Sequence, residues 1–555
     1  MSSEQPASLK RTLKKLRRSL FGFLRRRPRG SEHERVAAIR LDQLLADDRL
    51  LPWWRRPFDP AALLRRHAIA PRGVIHLGAH EGKELETYLA LGCSPIVLVD
   101  ANPAMIPVIE AKARGFAGAS RADIRVVHAA ITDREGPVTL HITNAEQSSS
   151  ILPLAQHKAY YPKIREERAV TVPGKTIDGM LEELGLAPDA FNLLVMDIQG
   201  AELRALRGAA STLPSLEAVL TEYSLTELYE GCAKLGELEE FLAERGLSRA
   251  SECAPWHPTW GDAFYVRRPV VAMTSLGSNG RFANQLFQYL FLAIVARRNG
   301  AIVQVPDWVG AHLYGLEDAP PMRSLPRFHE LEAAETTARA LRTTPAAALL
   351  APNRDAVGVD YWGYFQFDGK TLAPHRDEAR RLFTLVPPLA ERVQASLARL
   401  RSGATTVVAV HLRRGDYGYG CFFRAPCRWY ADWLRASGLD PAKTVVYLAS
   451  ETPAEYRSRF APFRTVTARE VSALPAELDW LVDFEAMRDA DSLAISNSSF
   501  SFMAAFLNPR IARAMRPCTE AMGLVEFDPL DAPVLLRHEV PKAMHERLAA
   551  LDQAT

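Results

Sequence analysis

The sequence predicts an α/β protein made of two successive units, each with strands and helices in alternation. Short apolar runs with strand character alternate with helical stretches from about residue 73 to residue 268, and a second alternating pattern begins at residue 270. The length also indicates several domains, since the chain has 555 residues and one domain usually has about 100–200. Strand–helix alternation implies parallel sheets with helices on both faces.

Composition and charge are those of a globular protein with a basic amino-terminal segment. Hydrophobic residues make up 48% of the chain and charged residues 24%, which is ordinary for soluble domains. Residues 1–30 contain ten Lys or Arg and a single Glu, with leucines at helical spacing between them. This pattern predicts a basic amphipathic helix for an anionic membrane surface, and a disordered solubilising tail explains it equally well.

Several classes of protein are excluded by the remaining composition. The chain after residue 30 is net acidic, which argues against nucleic-acid binding. No apolar run approaches the roughly 18–20 residues that span a bilayer, and the first residues lack the apolar segment of a secretory signal. The six cysteines have no zinc-type spacing. We therefore expect a cytoplasmic protein, in contact with the inner face of the membrane if residues 1–30 bind lipid.

The first α/β unit contains a glycine turn and an acidic residue at a cofactor-binding spacing. The strand VIHL leads into a turn with Gly78, His80 and Gly82, and the next strand ends at Asp100. Glycines let the backbone approach a ligand closely at the carboxyl end of a strand. An acid at this distance can bind two ribose hydroxyls. Asp123, before the following strand, is predicted to contact an adenine.

A second acidic element follows in the segment MDIQGAEL. Asp197 ends a strand and Glu202 lies in the first turn of the next helix. We expect both to face the same cleft and to orient a sugar hydroxyl or accept its proton. Glu202 has a structural alternative, because an acid at a helix N-terminus stabilises the helix without any further role. The run of three serines at 148–150 lines the substrate side or is a plain polar loop.

These pieces resemble the FkbM family of methyltransferases over about residues 70–268. The similar segments occur in the family's order: GVIHLGAHEGK, VLVDANP, EQSSSIL, VPGKTIDGML, NLLVMDIQGAELRALRGA and GDAFYVRR. The resemblance implies a Rossmann-like class I methyltransferase domain at 71–268, S-adenosylmethionine as the donor and O-methylation, often of sugars. It places the cofactor on Gly78, Gly82 and Asp100. His80 stands where many relatives have Asn.

The second unit contains three polar turns that suit a nucleotide sugar. HLRRGDYG brings Arg413 and Arg414 to the end of a strand, and arginine binds diphosphate oxygens in pairs. Ser498 and Ser499 precede a helix whose first amides can bind an anion, although Ser is also an ordinary N-cap. Asn284 opens a long helix after a glycine-rich loop. Without a convincing DxD motif, we predict a metal-independent transferase in which Arg413 stabilises the leaving diphosphate.

This half resembles the α-1,2-fucosyltransferases and their wider fucosyltransferase relatives over about residues 271–510. The similar segments are GRFANQLFQY, HLRRGD and DFEAMRDADSLAISNSSFSF. The resemblance implies a GT-B-like fold of two α/β lobes at 270–555, GDP-fucose as donor, inversion at the anomeric carbon and no metal. It places the essential phosphate-binding arginine on Arg413, with Arg414 beside it, the guanine-reading acid on Asp483, Ser499 near the phosphate and Asn284 near the reacting sugar.

Together these expectations describe a bifunctional glycan-modifying enzyme. It transfers fucose to a glycan hydroxyl and O-methylates a sugar in the synthesis of a bacterial surface polysaccharide, such as lipopolysaccharide O-antigen or capsule. Residues 31–70 are a helical lead-in, and the boundary near Pro269 leaves almost no linker. Two alternatives remain: one half is inactive and serves as a binding module, or the donor is another nucleotide sugar. The second is motivated by Ala283 and by Phe502–Met503, where relatives have Gly and a Trp pair.

Overall fold

The computed structural model describes residues 57–116, 121–321, 323–330 and 346–553. The predicted amphipathic helix at 1–30 and most of the lead-in at 31–70 lie outside the described residues. The described chain begins with helix α1 (Pro60–Arg66), capped by Asp59, whose carboxylate accepts the Ala62 N–H. Among the described residues, no helix has both the length and the apolar character needed to cross a bilayer.

The first half is an α/β unit around a seven-stranded sheet. Its strands are β1 (Val74–Leu77), β2 (Ile96–Asp100), β3 (Ile124–His128), β4 (Ala130–Ile131), β5 (Gly136–Thr143), β6 (Glu166–Lys175), β7 (Leu193–Met196), β8 (Ala218–Ser224), β9 (Ser248–His257) and β10 (Trp260–Val266). Its helices after α1 are α2 (Leu85–Ala90), α3 (Ile106–Phe116), α4 (His157–Tyr160), α5 (Ile177–Leu184), α6 (Glu202–Arg207) and α7 (Leu235–Glu244).

Strand order in this sheet creates a crevice. The order is β3-β2-β1-β7-β8-β10-β9, and every pair is parallel except those that involve β10. The chain leaves β1 toward β2 on one side and later returns to β7 on the other. At such a switch point the loops after the two strands diverge and leave room for a ligand. The strands β4, β6 and β5 form a separate three-stranded sheet.

The second half contains two further sheets. Its strands are β11 (Val270–Ala272), β12 (Ile302–Gln304), β13 (Arg327–His329), β14 (Val359–Trp362), β15 (Thr406–Leu412), β16 (Thr444–Ser450), β17 (Arg464–Val466), β18 (Ser492–Ala494), β19 (Arg513–Cys518) and β20 (Gly523–Glu526). Its helices are α8 (Phe282–Arg298), α9 (Val309–Tyr314), α10 (Gly369–Leu372), α11 (Arg376–Leu382), α12 (Pro387–Arg401), α13 (Cys427–Ala436), α14 (Ala468–Val471), α15 (Asp479–Asp489), α16 (Ser499–Leu507) and α17 (Lys542–Gln553).

These two sheets share one apolar core. Their orders are β12-β11-β14-β13 and β17-β16-β15-β18-β19-β20, and only β20 is antiparallel to its neighbour. Helix α8 is buried on nearly all sides, and its side chains belong to the same cluster as those of α16 and β15. The second sheet has a switch point between β15 and β18, so the turns after these strands meet. The α/β prediction is confirmed for both halves.

The two halves contact each other along the edge strand β9. The Ala319 N–H donates to the Ala250 carbonyl (3.3 Å), the Arg249 guanidinium to the Pro320 carbonyl (3.1 Å), and the Gln304 amide to the Arg249 carbonyl (2.8 Å). Arg249 is fully buried between carboxylates of α7 and β9. The second half thus covers the β9 edge of the seven-stranded sheet. This removes one place where another chain could add a strand.

Candidate functional sites

A cavity of about 600 Å³ lies at the carboxyl end of the seven-stranded sheet, at the switch point between β1 and β7. Four residues singled out from the sequence line it: Gly78, His80, Asp100 and Asp197. They come from the turns after β1, β2 and β7, which parallel pairing brings to one edge. Gly78, His80 and Asp100 are three of the residues that the sequence predicts to hold a nucleoside cofactor.

Asp100 is fixed in place by two backbone amides. The His80 N–H donates to Asp100 Oδ2 at 2.7 Å, and the Asn102 N–H donates to Oδ1 at 2.8 Å. Burial raises the pKa of Asp100, while these two hydrogen bonds oppose the rise. Each carboxylate oxygen has a second lone pair. The carboxylate can therefore accept two ribose hydroxyls without losing its backbone partners.

Gly78 is required by the close approach of two turns. Its φ is +80°, and a Cβ atom there would lie 1.9 Å from the Asp197 carbonyl oxygen. Only glycine allows the turn after β1 to pass the turn after β7 at this distance. The Asp197 N–H donates to the Leu77 carbonyl at 3.0 Å, which holds the two turns together.

Three carboxylates form the floor of the cavity: Asp197 after β7, Glu222 on β8 and Asp262 on β10. Glu222 and Asp262 face each other across the antiparallel pair, and the Gln199 amide donates to Asp197 (2.6 Å) and Glu222 (3.0 Å). Desolvation raises the pKa of all three, that of Asp262 to about 7, and repulsion from Asp197 adds to the rise for Glu222 and Asp262. Asp197 is itself open to the cavity, and the repulsion that raises its pKa comes from Glu84 and Asp100. A carboxylate with such a pKa is suited to accept a proton at neutral pH.

The serine run also borders this cavity. Ser148, Ser149 and Ser150 all line it. The Ser150 hydroxyl donates to the Gln199 carbonyl at 2.8 Å, and the Ser148 carbonyl accepts from the Tyr229 hydroxyl at 3.3 Å. The run therefore anchors the loop that carries Gln199, in addition to facing the cavity.

In the second half, the three polar turns converge at the switch point between β15 and β18. The Ser499 hydroxyl donates to Asn284 Oδ1 at 2.7 Å, although the two residues are 215 positions apart. The Gln366 amide donates to the same oxygen at 2.7 Å. Ser498 is the N-cap of α16, and its hydroxyl accepts the Phe500 N–H at 3.3 Å. The glycine-rich loop and the serine turn thus share one hydrogen-bonded cluster.

Arg413 lies beside this cluster and is held by two acids. Its guanidinium pairs with Asp416 (2.8 Å) and with Glu451, which follows β16. Arg281, from the glycine-rich loop, pairs with the other Asp416 oxygen at 3.2 Å. The Arg413 side chain is only 20% exposed and lies 5.7 Å from the Tyr417 ring, whose hydroxyl donates to a carbonyl of the serine turn. Asp416 therefore links Arg281 of the glycine-rich loop to Arg413 of the turn after β15.

The two halves of the chain are similar to different families of known proteins. Residues 76–248 match the family described as Methyltransferase FkbM domain. The first half contains an FkbM methyltransferase domain. The 2-O-methyltransferase NoeI of Sinorhizobium fredii is 32% identical over 126 residues, which are 21% of this chain and 51% of NoeI. The chain thus spans about half the length of that relative. The FkbM structure from Methylobacillus flagellatus has a TM-score of 0.25 at 14% identity, over 35% of this chain and 43% of that one.

The second half is similar to fucosyltransferases. Galactoside alpha-(1,2)-fucosyltransferase 1 of Homo sapiens is 28% identical over 282 residues, 46% of this chain and 69% of the relative. The fucosyltransferase NodZ from Bradyrhizobium has a TM-score of 0.31 at 12% identity, over 48% of this chain and 99% of that one. Both resemblances drawn from the sequence motifs are confirmed as resemblances.

Two acids predicted for the FkbM domain lie away from the cavity. Asp123 precedes β3, at the amino end of the sheet, because Ile96 pairs with Ile124 and Asp100 pairs with His128. Its carboxylate pairs with Arg125 at 2.6 Å, so the position of Asp123 does not support the predicted adenine contact. Glu202 does not line the cavity either.

Glu202 and Gly82 support the turns around the cavity. Glu202 accepts the Ile198 N–H (3.1 Å) and the Gly200 N–H (3.2 Å), and burial raises its pKa to about 7. It braces the turn that carries Asp197, which favours the structural alternative, and its contact with substrate stays a prediction. Gly82, with φ +62°, ends the glycine turn beside α3 and does not border the cavity.

Arg414 is also displaced from its predicted position in the fucosyltransferase-like half. Its guanidinium is buried, donates to the Ala425 carbonyl (2.8 Å), approaches Asp552 of α17 (3.4 Å) and lies 4.7 Å from the Tyr456 ring. It therefore braces the chain after β15 on the face opposite the serine turn. Asp483 accepts the Tyr447 hydroxyl at 2.7 Å beside β16, and burial raises its pKa to about 7. Its role with guanine stays a prediction.

Sequence reasoning missed Glu222, Asp262 and Asp416, and it identified Arg281 only as part of the polar glycine-rich loop. Glu222 and Asp262 stand near the ends of otherwise apolar strands, within AVLTEY and GDAFYV. That pattern was a usable signal, because an acid inside an apolar strand needs a reason to be there. Asp416 follows the arginine pair in the same turn. Only its contact with both Arg281 and Arg413 reveals that it links the two polar loops.

Proposed function

We propose that this protein is a bifunctional enzyme that O-methylates a sugar with S-adenosylmethionine and transfers fucose from GDP-fucose to a glycan hydroxyl. One observation carries the proposal: each half has a strand-order switch point, and each switch point gathers polar residues from distant segments. In the first half these are Gly78, Asp100 and Asp197. In the second they are Asn284 and Ser499, with Arg413 nearby. The product is a methylated and fucosylated bacterial surface polysaccharide.

The cavity of the FkbM domain suits a nucleoside cofactor and a sugar hydroxyl side by side. Asp100 would hold the ribose hydroxyls of S-adenosylmethionine, whose methyl group is the electrophile in this chemistry. Asp197, Glu222 and Asp262 would orient the sugar hydroxyl, and one of them would accept its proton as the oxygen becomes a nucleophile. Their raised pKa values match that task near neutral pH.

The second half suits the departure of a nucleoside diphosphate. We assign it the GT-B arrangement of two α/β lobes, supported by its four-stranded and six-stranded sheets with the polar cluster between them. Arg413 would neutralise the leaving phosphate, with Ser499 and the amides of the α16 N-terminus beside it. Asn284 would contact the fucose ring as it is displaced with inversion. Asp483 would accept hydrogen bonds from guanine on the far side of β16.

The proposed test follows both reactions in the same preparation. Purified full-length protein is incubated with GDP-[14C]fucose, tritiated S-adenosylmethionine and a set of acceptor oligosaccharides. We expect both labels to enter glycan. Turnover of another nucleotide sugar, with none of GDP-fucose, would reject the fucose assignment.

Matched variants separate two active halves from one active half with an inactive partner. Arg413→Ala should lower fucose incorporation about 10²–10³-fold and spare methylation of a pre-fucosylated acceptor. Asp100→Ala should do the reverse. If the full-length protein shows only one of the two activities, the other half is a binding module and the bifunctional proposal fails. A variant that leaves both activities at the wild-type level removes that residue from its site.

We further propose that the reactions occur in the cytoplasm, with residues 1–30 on the inner face of the membrane. The support is the excess of basic residues at helical spacing in that segment. Flotation on vesicles of anionic lipid should require these residues. Equal flotation after their deletion would place membrane contact elsewhere or exclude it.

A further inference from the structure

A band of aromatic side chains runs from the floor of the FkbM cavity to its mouth. Tyr229 donates its hydroxyl to Gln199 on the floor at 2.6 Å. The His157 ring follows, 5.5 Å from the Tyr229 ring and 5.0 Å from the Tyr161 ring. The Trp260 N–H donates to the Tyr161 hydroxyl at 3.3 Å. All of these residues except Tyr229 border the cavity.

The band ends at an exposed tryptophan. Trp256 lines the cavity mouth, yet it is 71% exposed, the most exposed of the large hydrophobic side chains among the described residues. It lies near the tip of the β9–β10 hairpin, where the His257 ring bonds to Thr259 and the Leu225 N–H donates to the Thr259 carbonyl at 2.7 Å. Together with the rings of Trp260, Tyr161 and His157, which border the same cavity, this indole forms an aromatic patch of the kind that ligand sites present.

One polar atom in the wall also lacks a partner. His157 is only 5% exposed, and its Nδ1 has no hydrogen-bond partner among the described residues. Burial lowers the pKa of His157, so the ring is neutral at pH 7 and has one donor and one acceptor nitrogen. This nitrogen is itself closed off from solvent, so His157 contributes the surface of its ring to the cavity wall.

Apolar rings on the wall and carboxylates on the floor together match one class of molecule. A sugar ring has a C–H face, which packs on aromatic rings, and hydroxyls, which donate to carboxylates. We propose that the methyl acceptor is an oligosaccharide bound along this band. The methylated residue lies against Asp197, Glu222 and His157, and Trp256 stacks on the next sugar outside the cavity. This inference rests on the proposed methylation and deepens it by naming the acceptor class and its wall.

The position of Trp256 decides between a single sugar and a chain. Its ring is mostly outside the cavity, so a monosaccharide that reached the floor acids would leave it uncovered. A second sugar unit would cover it. The wall therefore predicts that a disaccharide or longer glycan binds more tightly than the corresponding monosaccharide.

The test measures glycan binding directly, with methylation kept as a separate readout. Wild-type protein saturated with S-adenosylhomocysteine is applied to an array of fucosylated glycans, next to Trp256→Ala, Trp256→Phe and Val108→Ala. Val108 is the control, because it is 43% exposed on α3 and does not border the cavity. We expect Trp256→Ala to weaken binding about tenfold, the value of one good aromatic contact, with Trp256→Phe intermediate and the control unchanged.

Each outcome decides the proposal. Wild-type protein that binds no glycan on the array, or binds equally after Trp256→Ala, overturns it. A parallel loss of S-adenosylhomocysteine affinity, measured by calorimetry, also overturns it, because the ring would then belong to the cofactor site. Glycan binding that depends on Trp256, in a protein that binds no S-adenosylhomocysteine, would reject the proposed methylation. It would still support the aromatic band as a saccharide-binding surface.

Discussion

Replacing Asp262 by Asn tests whether the ionised acid on the cavity floor lowers the free energy of unfolding. The substitution keeps the size and shape of the side chain and removes the ionised state. Asp262 has one described side-chain partner, the Cys253 thiol at 3.8 Å, and an amide oxygen can accept from that thiol as well. The change in the free energy of unfolding therefore reports mainly on the ionised state of this half-buried side chain.

The magnitude follows from the shifted pKa. Burial, with repulsion from Asp197, raises the pKa of Asp262 from 3.8 to about 7. Each pKa unit corresponds to about 1.36 kcal/mol, so the ionised side chain costs the folded state about 4 kcal/mol relative to the unfolded chain. Between pH 4 and pH 7 the folded state binds more protons. The stability from protonated Asp262 is thus complete below pH 4 and is lost as the pH rises through 7.

The expected result is a stability difference that depends on pH. Asp262→Asn should unfold at higher urea concentration than wild type at pH 8, by up to about 4 kcal/mol, with little difference at pH 4. Asp123→Asn is the control, since that carboxylate is exposed beside Arg125 and its removal should cost about 0.5 kcal/mol or less. A variant less stable than wild type at pH 8, or an equal difference at both pH values, would refute the reasoning.

Three other perturbations address the remaining contacts. Arg413→Ala should lower fucosyl transfer about 10²–10³-fold through lost charge stabilisation, and an unchanged rate would remove Arg413 from the donor site. Asn284→Ala and Ser499→Ala, measured singly and together by urea unfolding, should show a coupling of about 1 kcal/mol, which strictly additive effects would contradict. Arg249→Met strands two buried carboxylates, so unfolding experiments should register a loss of about 3–5 kcal/mol. A loss below about 1 kcal/mol would show that the buried charge cluster is dispensable.

Local signals in the sequence were sufficient for the turns that follow parallel strands. Gly78, Asp100 and Asp197 line one cavity because a glycine or an acid directly after an apolar strand falls at the carboxyl edge of the sheet. The same reasoning placed Asn284 and Ser499 close enough to share a hydrogen bond. These contacts needed no knowledge of sheet order. The ligand roles of all five residues stay predictions.

The misplaced residues failed for identifiable physical reasons. Asp123 precedes its strand, so it lies at the amino edge, opposite the ligand crevice. Arg413 and Arg414 are consecutive in an extended chain, so their side chains point to opposite faces and only one can reach the crevice. Glu202 satisfies the free amides of its own turn instead of facing solvent. Glu222 and Asp262 required the antiparallel register of β8 and β10, which is a long-range property.

The acids on the cavity floor are difficult to explain by folding alone. Natural proteins are stable by only about 5–15 kcal/mol, so an ionised group that costs about 4 kcal/mol is a large fraction of the total. An amide or an apolar side chain at Asp262 would remove that cost. Strongly shifted carboxylates in a cleft are typical of functional sites. The cleft also contains Trp256, a ring in water, and His157, a buried nitrogen without a partner among the described residues. A bound oligosaccharide would reduce two of these costs together, because the hydroxyls of one sugar reach the acids and the C–H face of the next sugar covers the indole.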